Sequence, residues 1–173
     1  ACAATVPRLG QPAFASVTAM GDSDQIAFNL EDARALLVAQ PFCQWWGFEA
    51  VAVGSGTCTL RLPLRLELIR PGGVLHGSGY EAVADVAAWI AIMTLVGEEP
   101  MAVTIEMKTS FFRGATTDVT SQATVLRLGR RVAFIEARTL DSEGRLCAHS
   151  TLTYSRAVSK ESLSKESVSK ESG

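Results

Sequence analysis

The residues best suited to chemistry lie close together in the segment HGSGYEAVAD, from His76 to Asp85. It opens a predicted helix, from about Ser78 to Val96, that is apolar on almost every side and must therefore be buried. Ser78, Glu81 and Asp85 stand at i, i+3 and i+7, so they share one face of it. Two carboxylates four positions apart on a buried helix repel, and each costs stability unless it is paired or solvated. Glu81, one turn in, can reach solvent at the end of the helix that favours negative charge. Asp85, two turns in among Ala84, Val86, Ala87 and Ala88, has less access to water and is the functional candidate. A carboxylate so placed can activate water or attack an electrophile itself. At the helix start, Gly77 and Gly79 leave backbone N–H groups free and aligned with the positive end of the dipole. A carbonyl oxygen resting against the Gly77 N–H would meet an oxyanion-hole donor.

Other side chains are weaker candidates. His76 either contacts a reacting group or is a satisfied loop histidine; His149, alternating with Cys147 and Thr151 on one strand face, reads as structural. Arg113, Arg127, Arg130 and Arg131 suit phosphate geometry, yet arginines beside hairpins are also ordinary surface. Trp45, Trp46 and Trp89 read as core or interface packing. Cys2, Cys43, Cys58 and Cys147 form no C-x-x-C pair, and with two histidines no metal site is expected. Reduced cysteines in a cytoplasmic protein are the simplest reading.

The elements that must position these groups follow from periodicity. Asn29 can cap a helix through LEDARALLVAQPFCQWW, kinked or ended at Pro41. Leu60, Leu62, Leu64, Leu66 and Leu68 alternate with polar residues as a half-buried strand, and Pro63 puts that strand at an edge or in a bulge. Arg70-Pro71-Gly72-Gly73 is a turn before the long helix. Alternating segments follow near 102–112, 118–128, 131–140 and 145–155, with hairpin turns at Gly129 and at 141–144. An antiparallel sheet wrapped around one long central helix, a single α+β domain over 29–156, satisfies all of this. Residues 1–28 read as an irregular arm. Residues 157–173, with SKES repeats, read as a low-complexity Ser/Lys/Glu tail.

Composition narrows the function. The 173 residues are 47% hydrophobic and 20% charged, enough for one domain with a sizeable core. A net charge of −2 without a basic excess argues against nucleic-acid binding. The apolar run Val86 to Val96 is about half the ~20 residues of a membrane span, so no membrane partner is expected.

The stretch RPGGVLHGSGYEAVADVAAWIA resembles the "HGG…D" signature of the hotdog-fold acyl-CoA thioesterases of the PaaI type. The segment AVTIEMKTSFFRGA is similar to the strand after their central helix, and RLGRRVAFIEARTLDSEGRLCAHSTLTY to their closing hairpins. This resemblance implies that Asp85 activates water or attacks the thioester, that the Gly77 amide polarises its carbonyl, and that His76 shapes the loop or contacts the thioester. It implies that Thr104 orients water in the neighbouring subunit's site. Two departures stand out: Ser78 replaces a usual second Gly, and Arg70 falls near a position where some members hold water with Asn or Gln. With Arg70, Ser78, Glu81, Arg113, Arg130 and Arg131 as substrate contacts, the expected protein is a homodimer or dimer of dimers. It would hydrolyse acyl-CoA with no cofactor beyond the substrate's own coenzyme A. A hotdog dehydratase or hydratase, using His76 with Glu81 or Asp85, and a non-catalytic module binding acyl-CoA or an aromatic ligand are the rival readings.

Overall fold

The computed structural model describes residues 26–156; the greater part of the expected arm and the whole repeat tail lie outside the described residues. Asn29 caps α1 (Leu30–Ala39), its side chain accepting from the Glu31 and Asp32 N–H groups while Asp32 accepts in return from the Asn29 N–H. Gln40 is extended, and Pro41 begins a separate short helix, α2 (Pro41–Trp46), at the position where a missing N–H costs nothing. Pro41 therefore ends the first helix and starts the second.

A hairpin follows, β1 (Glu49–Gly54) and β2 (Thr57–Leu62), then a single 3₁₀ turn and a small pair, β3 (Ile69–Arg70) and β4 (Val74–Leu75). The long helix α3 (Gly77–Val96) precedes β5 (Val103–Phe111) and then a meander of β6 (Val119–Leu128), β7 (Val132–Asp141) and β8 (Leu146–Ser155). The main sheet runs β1-β2-β6-β7-β8-β5, antiparallel throughout. Its inner face meets α3, 12 of whose 20 residues are buried, Ile90, Ile92 and Met93 completely. The length and hydropathy of α3 would by themselves suit a membrane span, but 67% of that apolar stretch is covered by the fold. At Gly79 a Cβ would stand 2.8 Å from Leu75 Cδ1, so this glycine lets the first turn of α3 press against β4.

One strand expectation needs correction. The leucine alternation does not continue to Leu68, and the strand is internal: β2 lies between β1 and β6 and stops at Leu62. Pro63 cannot donate to the ladder, so pairing ends at Leu62↔Val119 and Leu66 turns out to solvent. The corner is held instead by Asp118, which accepts from the Leu64 N–H at 2.7 Å and from Arg61. Those hydrogen bonds, the Leu64 N–H foremost, hold the Asp118 carboxyl below its ordinary value of 3.8. A depressed folded-state value means the stabilisation is complete above pH ~3.8 and fades as the pH falls through the lower folded value. Asp118→Ala is expected to cost about 1–2 kcal/mol at neutral pH and much less in acid. Urea midpoints at the two pH values check this; an equal loss at both would remove the carboxylate from the corner's stability.

Trp45 is 58% exposed rather than core, while Trp46 stacks on Phe48 at 5.9 Å.

Candidate active site

Asp85 sits half-buried where α3 crosses the edge of the sheet formed by β8 and β5. Thr104, at the start of β5, and Tyr154, at the end of β8, are cross-strand partners, and both point at it. Thr104 Oγ1 donates to Asp85 Oδ1 at 2.7 Å, and the Tyr154 hydroxyl donates to the same oxygen at 2.6 Å. These donors supply the pairing an interior carboxylate requires. A cleft of about 370 Å³ opens beside them, walled by Phe42, Val86, Trp89 and Val103. The Trp89 indole, one turn beyond Asp85, is fixed by its Nε1–H to the Glu99 carbonyl at 3.2 Å. Glu99 is itself paired with Arg156 at 3.0 Å, both side chains largely buried.

Thr104 was expected to face a neighbouring subunit's site; within the chain it hydrogen-bonds Asp85 on α3. The bulge between Thr104 and Glu106 lets the first residues of this edge strand turn their side chains toward the helix.

The start of α3 opens on a second cavity, about 540 Å³, lined by Arg70, His76, Gly77, Tyr80, Phe111 and Arg113 among others. His76 is the N-cap: its Nδ1 accepts the Ser78 N–H at 3.1 Å and lies 2.8 Å from Ser78 Oγ. Ser78 thus acts through His76 and does not itself line the cavity. The Gly77 N–H, in the first helical position, meets no acceptor among the described residues and remains available to a ligand. Tyr80 braces the rim, its hydroxyl accepting the Ala115 N–H at 2.7 Å and its ring packing edge-on against Phe111. Burial raises the Tyr80 phenol above its ordinary value, keeping it protonated.

Other expected contacts separate. Glu81 is exposed and borders neither cavity. Arg70 and Arg113 share the Gly77 cavity, but Arg130 and Arg131 lie in the β6–β7 turn, at the opposite end of the ten-residue strand β7. At ~3.3 Å per residue that places them roughly 30 Å from the β7–β8 turn, so within one chain these arginines do not form one phosphate grip. His149 faces Glu136 across the strands at 3.3 Å, a structural contact as read.

Tyr154 and Tyr80 escaped the sequence reading. Alternation along β8 marks Ser150, Leu152 and Tyr154 as inward-facing, but which helix residue a strand's last tyrosine meets depends on how helix and sheet cross.

The chain belongs to the thioesterase superfamily. The family's profile matches residues 72–148, which contain the start of α3, Asp85 and Thr104. A protein of Sulfurisphaera tokodaii, provisionally named an esterase, is 31% identical over 106 residues, 61% of this chain and 78% of the relative. A solved thioesterase from Haemophilus influenzae superposes with a TM-score of 0.69 at 26% identity, over 76% of this chain and 92% of that one. The phenylacetic acid degradation protein PaaI from Thermus thermophilus gives 0.62 at 26%, over 68% and 100%. The hotdog reading of the sequence thus holds, and at the level of the family the protein is a thioester hydrolase.

Proposed function

We propose that the protein hydrolyses acyl-CoA thioesters to the free acid and coenzyme A, at a site completed by a second copy of the chain. The observation that carries this reading is the division of one reaction between two cavities. Gly77 and Asp85 are eight residues apart on α3, a rise of about 12 Å. A carbonyl polarised by the Gly77 N–H and a water activated by Asp85 must each lie within about 3 Å of their protein partner and of one another. One chain does not supply both.

β5 borders both cavities, with Val103 and Thr104 at one end and Phe111 near the other. It is an edge strand, and Val103, Ile105, Phe111 and the following Phe112 are all more than half exposed. A twofold axis through the middle of β5 would pair two such edges and exchange their ends. The Asp85 cleft of one copy would then face the Gly77 cavity of the other.

In that site a water held by Asp85 Oδ2 and the Thr104 hydroxyl attacks the thioester carbonyl. Its proton passes to Asp85 while the new C–O bond forms, and the Gly77 N–H holds the oxyanion. The C–S bond then breaks and the departing thiolate takes the proton. Water and the thioester are the only reactants, so the scheme calls for no further cofactor. Arg70 and Arg113, in the same cavity as Gly77, suit the phosphates of coenzyme A. The family relationship to a thioesterase and to PaaI favours this chemistry. His76 Nδ1 is engaged in capping the Ser78 N–H, which disfavours a histidine–acid couple of the dehydratase kind.

Release of coenzyme A from short, long and aromatic acyl-CoAs tests the substrate class; no release from any of them would end the proposal. Subunit mixing tests the shared site. Asp85→Asn and Gly77→Pro chains, each impaired alone, should give one intact site per heterodimer, about one quarter of wild-type activity after statistical exchange. No recovery in verified heterodimers would overturn the shared site.

A further inference from the structure

We infer that Tyr154 is a positioning residue: together with Thr104 it saturates Oδ1 of Asp85 and leaves Oδ2 as the one oxygen that handles the proton. This rests on the hydrolytic role given to Asp85 above. A carboxylate oxygen has two lone-pair sites, and here two hydroxyls, at 2.6 and 2.7 Å, occupy both sites of Oδ1. Among the described residues no side chain or backbone N–H donates to Oδ2.

The two donors differ in how firmly they are held. Thr104 is exposed at the sheet edge, whereas Tyr154 is 3% exposed, with its ring beneath the helix. Its hydroxyl also lies 2.8 Å from the Asp85 main-chain carbonyl, so it spans side chain and backbone of a single residue. Its one O–H proton goes to Oδ1, the shorter contact at 2.6 Å, and that bond limits how the carboxylate is rotated. Burial, reinforced by the negative charge of Asp85, pushes ionisation of the Tyr154 phenol far upward, so it remains a donor throughout the working pH range. A phenylalanine would fill the same space but leave the carboxylate held by the exposed Thr104 hydroxyl alone. Displacements of about 1 Å at a reacting group can cost a hundredfold in rate.

The test is a kinetic cycle of Tyr154→Phe, Asp85→Asn and the double variant, followed by release of coenzyme A and by thermal melting. Tyr154→Phe is expected to melt within a few degrees of wild type, to keep KM within about threefold, and to lower kcat by roughly tenfold to a hundredfold. In the Asp85→Asn background the same change should alter the residual rate by less than about twofold, because its effect runs through the carboxylate. Wild-type kcat, an equal loss in both backgrounds, a rise in KM alone, or loss of the folded state would each overturn the proposal. Near-wild-type turnover by Asp85→Asn itself would instead overturn the underlying mechanism, which keeps the two failures distinct.

Discussion

Asp85→Asn is expected to lower turnover of the best acyl-CoA by about two orders of magnitude or more without unfolding the protein. An asparagine keeps the size of the side chain, and its carbonyl oxygen can still accept from Thr104 Oγ1 and the Tyr154 hydroxyl. What it loses is the ability to take a proton from water at neutral pH. A large loss of kcat with an unchanged melting temperature would place the carboxylate in the chemical step. Near-wild-type turnover in a folded variant would remove it from the mechanism.

Gly77→Pro is expected to reduce kcat by about a hundredfold to a thousandfold, the range for removing one oxyanion-hole donor. The substitution suits this position unusually well. Gly77 is the first helical residue, where proline is favoured because its N–H has no helical acceptor. The preceding His76 already has φ −66° and ψ 146°, the extended conformation required before proline. An added Cβ would meet only the Phe111 ring, at 3.5 Å, an ordinary contact. The His76 cap on the Ser78 N–H does not use the lost group. Circular dichroism should thus be preserved while release of coenzyme A falls; a folded variant with unaltered kcat would show that the oxyanion is held elsewhere.

Much of the architecture was legible because its signals are local. An Asn followed by Glu and Asp, a helix apolar on every side and four runs of alternation each name their element without reference to the rest of the chain. The leucine run past Pro63 misled because alternation reports a repeating face, whereas the end of a strand is set by whether its neighbour can still receive a hydrogen bond. β1 leaves little trace in the sequence for a related reason. As an edge strand with an irregular register against β2, it carries little period-two contrast.

Helix α3, the depth of Asp85 along it and the free N–H at its start are all legible in the chain alone. These follow from 3.6 residues per turn and from the orphan donors of any helix N-terminus. What surrounds them depends on how the folded chain packs. That packing brought Thr104 and Tyr154, 50 positions apart by their numbers, onto one oxygen of Asp85, and it sent Arg113 and Arg131 to opposite ends of the sheet. It also placed Gly77 and Asp85 in separate cavities. Hydrogen bonding between distant strands and the angle at which a helix crosses them depend on how every buried side chain packs at once, which no local period encodes.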